Sequence, residues 1–349
     1  MAATGVHRHG PHLFLLVIIL VLVAVGLILF VQRRRDRRPL EESTPAARVQ
    51  QEASGAVIGD RSVAASPARA LKSVTRRGGA TTEMAKQLPT GRYGIGGLLR
   101  SEWTKLRTVR STMWTLGVTI VLGIGVSAIA TAETRAHWST MSPGSRASFD
   151  PTSTSLIGIF IGQFAIGILG ALVISAEYST GTIRATFSAA PRRPLVLVAK
   201  VVVFGIVALV VAGVAAFLAF FLGQALLGAP ATHATLASPG ALREVVGSGL
   251  YVGVIGLFAL GLGTIIRHTA GAISAFIGVL LVLPLINQAL PTSITLDVRR
   301  FLPGSIGATM ISLHVGPHLF SPWTGLLVLC GYTLGALIIG GALLVRRDA

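Results

Sequence analysis

Residues 201–223 read VVVFGIVALVVAGVAAFLAFFLG and contain no charged side chain. A helix needs about 20 apolar residues to cross the hydrocarbon core of a bilayer. Because lipid offers no water to exposed peptide groups, a spanning segment of this kind must satisfy them within a helix. The stretch therefore predicts a membrane-spanning α-helix, placed at Ala199–Gly228.

Six further apolar stretches have the same length and character. Only 12% of the 349 residues are charged and the mean hydropathy is +0.73, whereas soluble domains carry about 25% charged residues. The composition predicts an all-α integral membrane protein with a six-span bundle and an extra N-terminal span. The six further stretches are Pro11–Val31, Thr112–Ala130, Ser155–Ser175, Val245–Ile266, Gly271–Leu290 and Trp323–Val345.

Three regions follow from this pattern. Residues 1–31 are predicted to form an N-terminal transmembrane anchor; a cleaved signal peptide is the alternative, but its apolar run is usually shorter. Residues 32–94 combine prolines, small polar residues and arginines without an apolar period, which predicts a disordered basic linker on the cytoplasmic side. Residues 95–349 form the six-span domain, led by a helix at the membrane surface.

The 30 Lys and Arg residues give the chain a net charge of +17. They lie at the ends of apolar runs and not on one soluble domain, so the charge does not indicate nucleic-acid binding. Basic residues mark the cytoplasmic side of membrane proteins. Their distribution, with Arg33, Arg34 and Arg35 just after the first span, predicts an outside N-terminus and a cytoplasmic C-terminus.

The segment Ile95–Arg110 is predicted to be a helix that lies in the membrane surface. Lys105 and Arg107 flank an apolar stripe, and an apolar stripe with an interfacial Trp and flanking cations is typical of such helices. An ordinary cytosolic helix packed on a partner remains the alternative. The stripe consists of Ile95, Leu99, Trp103 and Leu106.

Motifs for catalysis are missing from the sequence. It has no G-x-x-x-x-G-K-[ST] phosphate loop, no H-E-x-x-H motif and no G-x-S-x-G elbow. No acidic residue lies near the middle of a span, although proton-driven transporters usually keep one there. We therefore predict no catalytic residue, no metal site and no cofactor on this chain, and an energy source on another polypeptide.

Few polar groups fall at membrane depth. Gln163, Asn287 and Gln288 are candidates for a substrate path, the last two because they follow the helix-breaking Pro284. Hydrogen bonding between helices is the alternative. Three G-x-x-x-G pairs are interpreted as close helix packing: Gly158/Gly162, Gly249/Gly253 and Gly331/Gly335.

The connection at residues 176–198 is the most informative segment. It contains EYSTGTIR at 177–184 and PRRP at 191–194, in which Gly181 permits a tight turn. This pattern predicts a short, rigid, cationic element at the membrane surface, which either receives a soluble partner or anchors to anionic lipid headgroups. The candidate residues are Glu177, Gly181, Thr182, Arg184, Pro191, Arg192 and Arg193.

Two of these motifs resemble one family. The stretch LRSEWTKLRT at 99–108 is similar to the start of permease subunits of bacterial type-two ATP-binding cassette transporters, especially those of actinobacteria. The pattern Glu177…Gly181-Thr182…Arg184…Pro191-Arg192-Arg193…Lys200 is similar to the first cytoplasmic loop of the same family. The resemblance covers about Gly91 to the C-terminus.

The resemblance implies a six-span exporter permease in the bacterial cell membrane. It would form a homodimer or pair with a second permease, and separate ATPase subunits would bind ATP and Mg²⁺ and dock on the 176–198 loop. Cargo would be a hydrophobic small molecule, lipid or peptide. A secondary carrier or channel, and a non-transporting sensor or scaffold, are the alternatives.

Overall fold

The computed structural model describes residues 94–189 and 192–346. The predicted anchor at 1–31, the linker up to residue 93, Pro191 and the last three residues lie outside the described residues. Within the described part the chain is helical and contains no strand.

Thirteen α-helices follow one another along the described residues. They are α1 Ile95–Thr108, α2 Arg110–Ala136, α3 Pro143–Ala147, α4 Pro151–Leu156, α5 Ile159–Ser179, α6 Thr182–Ala189, α7 Arg193–Leu227, α8 Ala241–Ile266, α9 Thr269–Ile277, α10 Leu283–Gln288, α11 Thr292–Arg299, α12 Pro303–Met310 and α13 Pro322–Arg346.

Six segments of the described residues are long and apolar enough to cross a membrane. They are α2, the α4–α5 segment, α7, α8, the α9–α10 segment and α13. Their number and order confirm the predicted six-span, all-α membrane bundle. Several predicted spans were shorter than the helices in the structure, most clearly at α7, which begins at Arg193 and not at Ala199.

Helices α5 and α8 form the centre of the bundle and pack along each other. Helix α7 packs against both α2 and α8, and α13 packs against α8. Small residues allow this close contact: a Cβ atom on Gly158 would collide with the Gly123 carbonyl, and one on Gly170 with the Gly256 carbonyl. The inner helices therefore approach backbone to backbone.

The fifth span is not one continuous α-helix. Residues Gly278–Val282 form a turn of π-helix between α9 and α10, just before Pro284. Proline lacks the N–H that would bond to the carbonyl four residues earlier and crowds that carbonyl, and a wider turn accommodates this. The interruption falls within the predicted span Gly271–Leu290, next to the helix-breaking Pro284.

The bundle has two chemically different ends. Helices α1 and α6, the start of α7 and the last turn of α13 lie at one end, which we name the ion-pair end after the contacts described below. Helices α11 and α12 lie in the connection at the opposite end, where Leu313 N–H donates to the Asp150 carboxylate at 3.0 Å.

Candidate functional site

Helix α6 is a short helix fixed onto the bundle. Gly181 turns the chain out of α5 with a φ of +71°, a conformation that glycine adopts without a Cβ penalty. Ile183 and Phe187, four residues apart, are buried against the main core. The rest of the α6 surface leaves Arg184, Ala185 and Ser188 exposed, so one face is seated and the remainder is uncovered in the described residues.

A ring of four charged side chains lies at the base of the α6 loop. Lys200 Nζ donates to Glu177 Oε1 at 2.7 Å and to Glu102 Oε2 at 2.8 Å. Lys105 Nζ donates to Glu177 Oε1 at 3.0 Å and to Glu102 Oε1 at 2.8 Å. The ring joins α1, the end of α5 and the start of α7, so it ties both sides of the α6 loop to α1.

This ring is largely removed from water. The side chain of Lys200 is 1% exposed, and those of Glu102 and Glu177 are 5% and 14% exposed. Two lysines and two carboxylates leave no net charge, which is the condition for tolerating buried ions. Burial lowers the pKa of Lys105, but the hydrogen bonds and charges of Glu102 and Glu177 outweigh it and the pKa is raised.

Two arginines brace the other side of the loop. Arg193 donates to the carbonyl of Leu344 at 3.3 Å, and Arg267 donates to that of Leu343 at 2.7 Å. Both carbonyls belong to the last turn of α13, where they lack helical partners and carry the negative end of the helix dipole. The Arg193 guanidinium also lies over the Phe187 ring, 5.3 Å from its centre, and so clamps α6.

The predicted loop residues that the structure describes therefore divide into three groups. Glu177 and Arg193 face the bundle as braces, and Gly181 forms the turn. Thr182, Arg184 and Arg192 are exposed and are available for contact with a partner.

Helix α1 presents a different side to the bundle from the one predicted. Glu102 is buried, and Leu98 and Leu106 pack on the core beside it. The predicted stripe is divided, because Ile95 and Trp103 remain 51% and 49% exposed while Leu99 and Leu106 are partly buried. The helix also ends at Thr108, before an extended Val109, and not at Arg110.

Lys105 differs from its predicted position at the side of α1. Its ammonium group points into the ring of ion pairs because two carboxylates reach it there. Glu102 and Lys200 were missing from the predicted site, although Glu102 is the single acidic residue in the amphipathic segment 95–110. Its position beside the apolar stripe was the available signal.

The three predicted pathway residues have separate surroundings. Gln163 is buried, and its Oε1 accepts from the Tyr251 hydroxyl at 2.6 Å. Asn287 is buried near the opposite end, where its Nδ2 donates to the Thr295 carbonyl at 3.4 Å, and Gln288 is exposed. These contacts favour hydrogen bonding between helices at Gln163 and at Asn287.

Replacement of Tyr251 by Phe tests the role of Gln163. The variant removes the only hydroxyl that bonds to this buried amide oxygen in the described part of the chain. Hydrogen bonds between membrane helices contribute on average about 0.6 kcal/mol and up to about 1.7 kcal/mol. We expect a loss of about 1 kcal/mol in unfolding free energy in mixed micelles. An unchanged stability together with altered transport would instead place Gln163 in the pathway.

The described residues contain no group of three or more His, Cys, Asp or Glu side chains that could hold a metal ion. The site consists of a seated helix, its exposed face, and a buried ring that links it to two spans and to α1.

The bundle defines a multi-pass α-helical membrane protein with a short helix seated at one end. Residues 98–290, more than half of the chain, match the profile of the family described as ABC-2 family transporter protein. The chain belongs to this family and is a membrane permease of a type-two ATP-binding cassette transporter. Membership implies pairing with an ATP-binding subunit. No curated protein matches the chain.

Proposed function

We propose that this permease exports a hydrophobic cargo and is driven by a separate ATPase that docks on the 176–198 loop. The observation that supports the coupling site best is the seating of α6, with Ile183 and Phe187 buried and Arg184 exposed. A displacement of α6 by the ATPase would be transmitted to α5 and α7, because the ion pair between Glu177 and Lys200 joins these two helices directly.

The proposed orientation places the ion-pair end in the cytoplasm of a bacterial cell. Of the Lys and Arg residues that the structure describes, ten lie at this end and five at the opposite end. The carboxylates have the reverse distribution, with two at the ion-pair end and four at the other. Such an excess of cations is typical of the cytoplasmic side and supports an orientation in which a soluble ATPase could reach α6.

The proposed mechanism uses no chemistry on this chain. ATP and Mg²⁺ would bind to the partner subunit, and two permeases, identical or different, would each present one α6. Closure of the ATPases would draw the two α6 helices together and favour an outward-facing state. Binding of ATP shifts the equilibrium between the two states only by the difference in its affinity for them. The loop must therefore move together with its spans, so that closure of the ATPases changes the state of the pathway.

The proposed cargo is a hydrophobic small molecule, lipid or peptide. The core cluster is made of aliphatic and aromatic side chains, and two of the three polar pathway candidates bond to neighbouring helices. A pathway formed between such helices offers few partners to a strongly polar solute.

Charge reversal on the exposed face of α6 tests the coupling proposal. Arg184→Glu changes a side chain that contacts no carboxylate in the described residues, so the fold should remain intact. We expect the affinity for the ATP-binding subunit to fall at least about tenfold, or about 1.4 kcal/mol, with a matching loss of permease-stimulated ATP hydrolysis. The measurement is titration of the purified permease with the ATPase that co-purifies with the wild-type chain.

Arg299→Glu, an exposed cation at the opposite end, is the matched control and should bind the ATPase normally. Glu177→Arg is a poorer probe, because it would place a third cation in the buried ring and unfold the site. Unchanged binding and stimulation by Arg184→Glu would contradict docking on this face, and cargo transport by the chain alone in empty liposomes would contradict the ATP-driven mechanism.

A further inference from the structure

Helix α1 has an exposed side that the bundle does not use. Its inner side is occupied by Glu102, with Leu98 and Leu106 packed on the core. Trp103 directly follows Glu102, so it lies about 100° around the helix from this side, and it is about half exposed. A large aromatic ring left uncovered on a helix surface indicates contact with something less polar than water.

Two arginines flank that aromatic ring. Trp103 follows Arg100 by three residues and precedes Arg107 by four, so both are its neighbours on the helix surface. Both arginines are exposed, and neither has a carboxylate within salt-bridge distance among the described residues. Lys105 on the same helix is instead paired with Glu102 and Glu177 in the ring of ion pairs. The pair Arg100 and Arg107 is thus available to an external anion.

We propose that Arg100, Trp103 and Arg107 form a binding site for the headgroups of anionic phospholipids. The proposal rests on the placement of the ion-pair end at the membrane surface that we proposed above. The indole ring would lie at the depth of the headgroups, and the two guanidinium groups would reach the phosphates on either side. An acidic protein surface would satisfy the arginines but would leave the Trp103 ring without an apolar environment.

Headgroup binding at this site acts on the coupling loop. Helix α1 is joined to the loop through Glu102 and Lys105, which contact Lys200 and Glu177 on either side of α6. Helix α1 would then be held by lipid headgroups on one side and by buried ion pairs on the other. The anionic lipid content of the membrane would therefore set how firmly α6 is held.

Quenching of Trp103 fluorescence by brominated lipids tests the proposal on the full chain. Trp114, Trp138 and Trp323 are replaced by Phe, which leaves Trp103 as the only reporter among the four tryptophans. The protein is placed in bilayers that contain brominated phosphatidylglycerol or brominated phosphatidylcholine. Each cation near an anionic surface favours binding about fivefold, so we expect the glycerol lipid to bind beside Trp103 at least about tenfold more tightly.

Arg100→Gln/Arg107→Gln should reduce the ratio of the two lipid affinities at Trp103 to about one. Arg100→Lys/Arg107→Lys should keep most of the preference for phosphatidylglycerol. Arg299→Gln/Arg300→Gln, at the opposite end, is the matched control and should change nothing. High salt should weaken the preference in the parent chain. Equal quenching by the two lipids in the parent chain, or a preference that survives the Gln variant, would overturn the proposal. Since no ATPase is present, the result is independent of the docking experiment.

Discussion

Lys200→Met is expected to lower the free energy of unfolding by about 3–5 kcal/mol, the cost of leaving a buried charge without its partner. The Lys200 ammonium group contacts Glu102 and Glu177 from inside the bundle, and its side chain is 1% exposed. Without it, the two carboxylates retain, among the residues that the structure describes, only the ion pair with Lys105, which is 40% exposed. The measurement is denaturant unfolding of the purified chain in mixed micelles.

Two further variants separate the ion pairs from simple packing. Lys105→Met removes the water-exposed lysine of the same ring and should cost no more than about 1 kcal/mol. The triple variant Lys200→Met/Glu102→Met/Glu177→Met should recover much of the lost stability, because replacing a whole buried network by apolar groups is often neutral. If Lys200→Met were as stable as Lys105→Met, the ring would not brace the loop.

Gly158→Ala is expected to lower the free energy of unfolding toward the upper end of about 1–3 kcal/mol, the usual cost of inserting a methyl group into a packed core. The added methyl would meet the carbonyl oxygen of Gly123 and the backbone of Ser127. Neither backbone atom can turn away as a side chain could. Helices α2 and α5 must therefore separate, and the bond from Gly158 N–H to Ser127 Oγ, now 3.0 Å, would lengthen.

Gly331→Ala in α13 is the matched control, because a Cβ atom there meets nothing within 4 Å. Alanine is the better helix former, so this variant should be neutral or up to about 1 kcal/mol more stable. Both chains can be compared by thermal unfolding in the same detergent. Equal destabilisation of the two variants would show that the contact between α2 and α5 is looser than described.

The spans were predictable because each apolar run satisfies its peptide groups within itself. Their order and number needed no long-range information, and the same holds for the turn at Gly181 and for the short element after it. The three G-x-x-x-G pairs show the limit of this reasoning. The motif does not say which glycines face a neighbour: Gly158 and Gly253 are packed tightly, whereas Gly331 and Gly335 face open space.

The buried ring could not be predicted from spacing. Lys200 contacts Glu102 across 98 residues and Glu177 across 23, and nothing local in the sequence pairs them. In the sequence Lys200 falls at the junction between the 176–198 connection and the predicted span Ala199–Gly228. In the fold α7 begins two turns earlier, at Arg193, and the lysine is carried inside the helix to its two carboxylates.

Site-specific photo-crosslinking from α6 in intact cells tests the central claim most directly. A photoreactive phenylalanine at Ala185, an exposed position on α6, is compared with the same group at Val315, exposed at the opposite end. The account predicts a covalent adduct at position 185, and none at 315, with a protein that carries a G-x-x-x-x-G-K-[ST] phosphate loop. An adduct with that protein at position 315, or its absence at 185, would contradict the account.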